Sequence, residues 1–221
     1  MDNYGKIEVY RNVRSIENVF EGEVVYHFTE DELQRLTDAF YSYLEEDEKK
    51  GNTIRASHRA KHLLFFLFLR YTGARIGEIQ LIDEGRDIDL RLSQVHLTTL
   101  KRHAKKKKGK VSRTVPVPES LINEYLRLIK IYPQIEGNVF KIPQSVFFRV
   151  FRKMCDKAHI DKKLAHPHTL RHTRAIELLK AQVPVTIVQQ ILGHASLSTT
   201  AMYLRYSASE TRRILKDRGV I

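Results

Sequence analysis

Four short segments hold the side chains best suited to chemistry on a phosphate group. Residues 72–79 read TGARIGEI, 166–172 read HPHTLRH, 192–194 read LGH and 198–203 read STTAMY. An arginine guanidinium is planar, keeps its charge and holds two phosphate oxygens at once, which lysine does not. Arg75 and Arg171 can therefore supply cations around a phosphodiester. Glu78 stands one helical turn beyond Arg75 and can orient it, and His168, three residues before Arg171, shares a helix face with it. Tyr203 offers a phenol that ordinarily keeps its proton to about pH 10, so its use as a nucleophile needs nearby cations and a histidine. Breaking a phosphodiester without a metal asks for those parts together. A nucleophile attacks, cations stabilise the pentavalent phosphorane, and an acid protonates the leaving oxygen.

Two other readings of these segments are weaker. His166, His168 and His172 crowd one stretch and invite a metal, but HTLRH lacks the glutamate of H-E-x-x-H, no cysteine is near, and Arg171 between the imidazoles repels a cation. No metal site is expected, and His172 is assigned a hydrogen bond within the domain. The run LLKAQVPVTIVQQILG reads as helix, tight turn, helix, which alone would suit a catalytically silent DNA-binding regulator. Such a regulator gains nothing from two arginines, two histidines and a tyrosine spaced to converge.

The elements that must position these side chains are mostly helices. Thr29-x-x-Glu32 is a capping box that opens a helix through about Glu48. A second helix, about Ala56 to Thr72, becomes almost wholly apolar over Leu63–Leu69 and stops at Gly73, so it belongs in the middle of the core. From Asp87 the period changes. DIDLRL, QVHLTTL and VSRTVPV alternate as strands, and KKKKGK lies at the tip between the second and third. Helical spacing returns in Pro118–Ile131, Gln144–Ala158, His168–Ala181, Val185–Leu192, Thr199–Tyr206 and Ser209–Asp217. The expected fold is mainly α with a small antiparallel β-sheet.

Composition narrows the partner. The 221 residues carry 38 Lys+Arg against 26 Asp+Glu, a formal charge of +12, which favours a polyanion and above all nucleic acid. Apolar residues at 42% suffice for a core and exclude a wholly disordered chain. Cys155 is the single cysteine, which removes internal disulfides and CxxC zinc sites and fits a reducing cytosol. Leu63–Leu69 is far shorter than the roughly 18 residues a bilayer span needs, and the first residues hold no signal-like apolar stretch, so a cytoplasmic, nucleoid-associated location without membrane attachment is expected.

Together the four segments, in this order over about 130 residues, resemble the tyrosine recombinase (phage integrase) family. In that family an arginine in G-x-R-x-x-E is followed by H-x-x-R, L-G-H and a tyrosine shortly after paired threonines. The resemblance covers about Thr29 to Ser209 and implies a site-specific recombinase that joins itself to DNA through a 3′-phosphotyrosine and needs no cofactor. It assigns Arg75 and Arg171 to the phosphate, His168 to proton handling, His194 to a non-bridging oxygen and Tyr203, at LGH-x8-Y, to attack. Tyr206 is the competitor on nearly the same face, and the spacing selects Tyr203.

The family's general acid is a lysine on the β-hairpin. Counting from Asp87–Asp89 gives Lys101 and counting back from Arg113 and Pro116 gives Lys108; Lys101 is preferred because strand pairing can position it. Lys105, Lys106, Lys107 and Lys108 then grip the DNA backbone. The resemblance further implies double-stranded DNA as partner and a homo-tetrameric synapse. A type IB-like topoisomerase is the alternative enzyme. The expected organisation is an arm or linker over 1–28, a catalytic domain over 29–206 and a tail helix over 207–221, which protomers could exchange. Some 28 residues before the catalytic domain are too few for the helical core-binding domain usual in the family, as in a short recombinase or a fragment.

Overall fold

Helix α1 (Glu30–Glu48) starts where the capping box places it. The Thr29 hydroxyl accepts the Glu32 N–H at 3.2 Å and the Glu32 carboxylate accepts the Thr29 N–H at 3.0 Å. Glu30, Asp31 and Glu32 in the first turn suit the positive end of the helix dipole. Leu33, Leu36, Phe40 and Leu44 form the buried stripe that the 3.6-residue period puts on one face. The computed structural model describes residues 15–16, 25–99, 112–194, 215–216 and 219.

Helix α2 (Thr53–Thr72) begins three residues earlier than its apolar pattern suggests, because Asn52 caps it by accepting the Arg55 N–H at 3.0 Å. Every residue from Leu63 to Leu69 is buried, so this helix is surrounded on all sides. Helices α1, α5 (Glu119–Ile131) and α7 (Pro167–Lys180) pack against it, and α6 (Gln144–Lys157) lies against α1. The core is aromatic: Phe40 stacks on Phe66 at 4.2 Å between centroids, Phe65 meets Phe147 at 4.5 Å and Phe68 meets Phe140 edge-on at 4.7 Å. Gly73 ends α2 at φ +62°, as a left-handed C-cap requires.

Two short helices, α3 (Ile76–Ile79) and α4 (Glu84–Asp87), lead into a three-stranded antiparallel sheet in the order β3, β4, β5. Strand β4 (Gln94–Thr98) pairs with β5 (Ser112–Pro116) with Leu97 opposite Arg113 and Val95 opposite Val115. Strand β3 is only Ile88–Asp89, shorter than the DIDLRL run suggests. The Asp89 carboxylate accepts the N–H groups of Arg91 and Leu92, which bends the chain before a third residue can pair. Ahead of α1, a two-residue pair joins β1 (Ser15–Ile16) to β2 (Val25–Tyr26). The arm is tied to the fold there, since Phe28 is buried and its N–H donates to the Thr173 hydroxyl at 3.0 Å.

Helix α8 (Val185–Leu192) follows α7 through a tight turn, and the two form their own small core of Ala175, Ile176, Leu179, Val188 and Leu192. Gly193 at φ +67° ends α8. The architecture is the expected mainly helical fold with a small antiparallel sheet. No described helix is long and apolar enough to cross a membrane.

Candidate active site

Arg75 is held by the local sequence. It is the N-cap residue of α3, its N–H donates to Glu78 Oε2 at 3.0 Å, and its Nη1 donates to Glu78 Oε1 at 3.1 Å. The i,i+3 spacing makes both contacts available within one turn. Glu78 is fully buried while the Arg75 side chain remains 38% exposed, so the arginine is anchored through its N–H and one guanidinium nitrogen and is otherwise open toward solvent.

Glu78 has a second partner that the motif spacing does not announce. Arg113 on β5 donates to both carboxylate oxygens, Nη2 to Oε2 at 2.8 Å and Nη1 to Oε1 at 3.2 Å. Burial alone would raise the Glu78 pKa, but the Arg113 hydrogen bonds and charge, aided by the Arg75 N–H and charge, hold it below the usual carboxylate value. Two guanidinium groups thus share one carboxylate, and the cluster keeps a net positive charge.

Arg171 reaches the same place from α7. Its side chain is buried and Nη1 donates to the Gly73 carbonyl at 2.8 Å, the exposed end of α2's hydrogen-bond ladder. At two glycines of the motifs, Gly73 and Gly193, a side chain would collide. A Cβ on Gly73 would lie 2.6 Å from Leu192 Cδ2, and one on Gly193 would lie 2.8 Å from Arg113 Nη1. Packing of α8 onto the end of α2 and of Arg113 onto the end of α8 therefore depends on them.

Three imidazoles complete the arrangement. His194 follows the α8 cap and is buried; loss of hydration, then the charges of Arg171 and Arg75, push its pKa down to about 3. His172 is lowered to about 4, by burial and then by His168 and Arg171. The His168 ring is exposed at the surface of α7, crowded edge-on by His172 at 4.7 Å, and its pKa is lowered by desolvation and by Arg171 and Arg75. All three are neutral near pH 7, so each offers an acceptor nitrogen as well as a donor. His166, by contrast, is exposed at the N-cap of α7. Among the described residues no group of three His, Cys, Asp or Glu side chains could hold a metal ion.

The structure therefore brings Arg75, Glu78, His168, Arg171, His172 and His194 together from three separated segments. Tyr203, Lys101 and the run Lys105–Lys108 lie outside the described residues. Arg113 is the residue that reading the motifs misses. Its signal is present but quiet: it occupies the same strand face as the buried Val115, an inward position where a charged side chain needs a carboxylate.

A sequence model of the phage integrase family matches residues 27–210. A tyrosine recombinase of Thermosipho africanus (strain TCF52B) is 34% identical over 187 residues, covering 82% of this chain and 58% of that protein. The chain thus spans little more than half of that relative's length. The crystal structure of XerA recombinase superposes with a TM-score of 0.64 at 26% identity, over 92% of this chain and 66% of that one. The Tn1549 transposon integrase in complex with circular intermediate DNA shares the fold, with a TM-score of 0.65 at 20% identity over 89% of this chain and 68% of the other.

Proposed function

The chain belongs to the phage integrase family of tyrosine recombinases, and from that premise we propose that it is a site-specific DNA recombinase acting through a 3′-phosphotyrosine. The observation that carries the reading is the convergence of Arg75, Arg171, His168 and His194, with three arginine charges set against the single carboxylate of Glu78. That is an anion site whose donors are fixed before the substrate arrives, and preorganised donors act most strongly where charge develops. The net charge of +12 favours a polyanionic partner, and the related Tn1549 integrase is seen on DNA.

In the proposed reaction the Tyr203 phenolic oxygen attacks phosphorus while neutral His168 takes its proton. Arg75, Arg171 and the His194 N–H hold the non-bridging oxygens of the phosphorane. The bond from phosphorus to the 5′ oxygen breaks, Lys101 protonates that oxygen, and the phosphotyrosyl bond keeps the energy needed for rejoining. Lys101 is preferred over Lys108 because it follows the end of β4 by three residues and lies two residues beyond Thr99, which bonds Arg113. Lys105–Lys108 contact the DNA backbone.

The catalytic domain spans 29–206, preceded by an arm over 1–28. The tail over 207–221, with Arg212, Arg213, Lys216 and Arg218 beside Ile214, Leu215, Val220 and Ile221 in sequence, connects protomers in a tetrameric synapse on two sites. The reading is tested by incubating the protein with sheared, lightly nicked chromosomal DNA of its host and recovering covalent adducts under denaturing conditions. An adduct that persists in EDTA and vanishes in Tyr203→Phe supports it; dependence on Mg²⁺, or an undiminished adduct in that variant, overturns it. Supercoil relaxation without recombinant products would favour the topoisomerase reading.

A further inference from the structure

Arg113 spends its donors on three different parts of the molecule. Nη1 and Nη2 hold the Glu78 carboxylate of α3, Nη1 also donates to the Thr99 hydroxyl at 3.0 Å, and Nε donates to the Ile191 carbonyl at 2.7 Å. The first contact fixes the carboxylate on which Arg75 rests. The second lies at the edge of the segment that bears Lys101. The third caps the C-terminal end of α8, where carbonyls lack helical partners, three residues before His194. The side chain is 8% exposed and lies flat against Gly193, so the guanidinium has no second place to go.

We propose that Arg113 is a positioning residue for DNA cleavage: through Glu78 it sets Arg75, and through the end of α8 it sets His194, so that both meet one phosphate. The assignment rests on the recombinase reading above. Arginine is required because the task needs a rigid fork that serves a carboxylate bidentately and a carbonyl at the same time. A lysine keeps the charge but supplies a single nitrogen, which cannot reach Glu78, Thr99 and Ile191 together.

The molecule contains its own control. Arg59 on α2, 15% exposed, also binds two carboxylates, Glu46 at 2.9 Å and Asp47 at 2.7 Å, together with the Tyr43 carbonyl. Its partners all belong to α1, so it joins two scaffold helices and touches no site residue.

The test compares Arg113→Lys with Arg59→Lys in the full chain, measuring thermal midpoint, DNA affinity, single-turnover adduct formation on a nicked duplex recovered from the chromosomal pool, and amide hydrogen exchange. Arg113→Lys is expected to lower the adduct rate by about 10²-fold or more while DNA affinity stays within about threefold, and Arg59→Lys to leave the rate within about threefold whatever its thermal midpoint. Exchange should quicken at Arg75, Glu78, Gly193 and His194 in Arg113→Lys and stay slow in α1 and α5. An Arg113→Lys protein that cleaves within about threefold of the parent, or one whose rate loss is matched by Arg59→Lys at equal loss of midpoint, overturns the assignment. Should the parent form no adduct, the recombinase reading fails by itself. Exchange then decides the positioning claim alone: local quickening supports it, and uniform or absent quickening overturns it.

Discussion

The middle of α2 and its C-terminal end are built on opposite rules. In the middle, Leu63 to Leu69 are enclosed by Phe40, Phe140 and Phe147, with large rings filling the space. At the end, Thr72 and Gly73 leave room, and the space is taken by the Arg171 guanidinium and by Leu192 of α8. One region gains stability from buried apolar area. The other places arginine charges close together, an arrangement that repels itself and depends on the first region and on Glu78 to keep it in place. On the proposed function, stability and chemistry are thus separated along one helix.

That separation can be broken most forcefully at Phe66, which is fully buried and stacked on Phe40. Phe66→Ala should cost about 3–5 kcal/mol of folding stability, read by urea denaturation, while the fraction that remains folded cleaves at close to the parent rate. A specific rate loss as large as the stability loss would show that the two regions are coupled.

Arg75→Ala and Arg171→Ala should give the reverse result. Each is expected to lose about 10²- to 10³-fold in adduct rate, roughly 3–4 kcal/mol of transition-state stabilisation, with DNA binding retained. The pair should differ in one respect. Arg75 is 38% exposed and its removal should scarcely move the thermal midpoint, whereas Arg171 is buried on the Gly73 carbonyl and its removal should lower it.

Gly193→Ala is a smaller perturbation at the join between the regions. A Cβ there meets a left-handed φ and the Arg113 guanidinium at 2.8–3.1 Å. About 1–2 kcal/mol of stability should be lost from the backbone conformation, and the adduct rate should fall by more than that stability loss accounts for. A rate unchanged from the parent would mean that Arg113 and α8 can part without consequence.

The mildest test is pH. His172 and His194 titrate at about 4 and about 3 in the folded chain against an ordinary value of 6.5, so between those limits the unfolded chain binds more protons than the folded one. Stability is therefore full above about pH 6.5 and declines as pH falls toward 4. Between pH 7.5 and 6 this pair should contribute a loss of about 1–2 kcal/mol, read by urea denaturation, and His172→Gln should flatten that dependence. An unchanged slope in the variant would place His172 outside the linkage.

Local physics made much of the molecule legible in the sequence. Caps and turns act over three or four residues, so Thr29-x-x-Glu32 marked the start of α1, Gly73 the end of α2, and the i,i+3 spacing of Arg75 to Glu78 their mutual contact. The same range of interaction placed His168 and Arg171 on one helix and set the ends of α8. Strand β3 is shorter than its sequence pattern suggests, because alternation in DIDLRL says nothing of the turn that the Asp89 carboxylate imposes. What only the tertiary structure decided is which distant groups meet: Arg113 with Glu78 across 35 positions, Arg171 with the Gly73 carbonyl across 98, and Gly193 with the flat of a guanidinium. Those contacts depend on how helices and sheet pack as bodies. No periodicity along the chain encodes them, since a buried charge finds its partner through the space that folding closes around it.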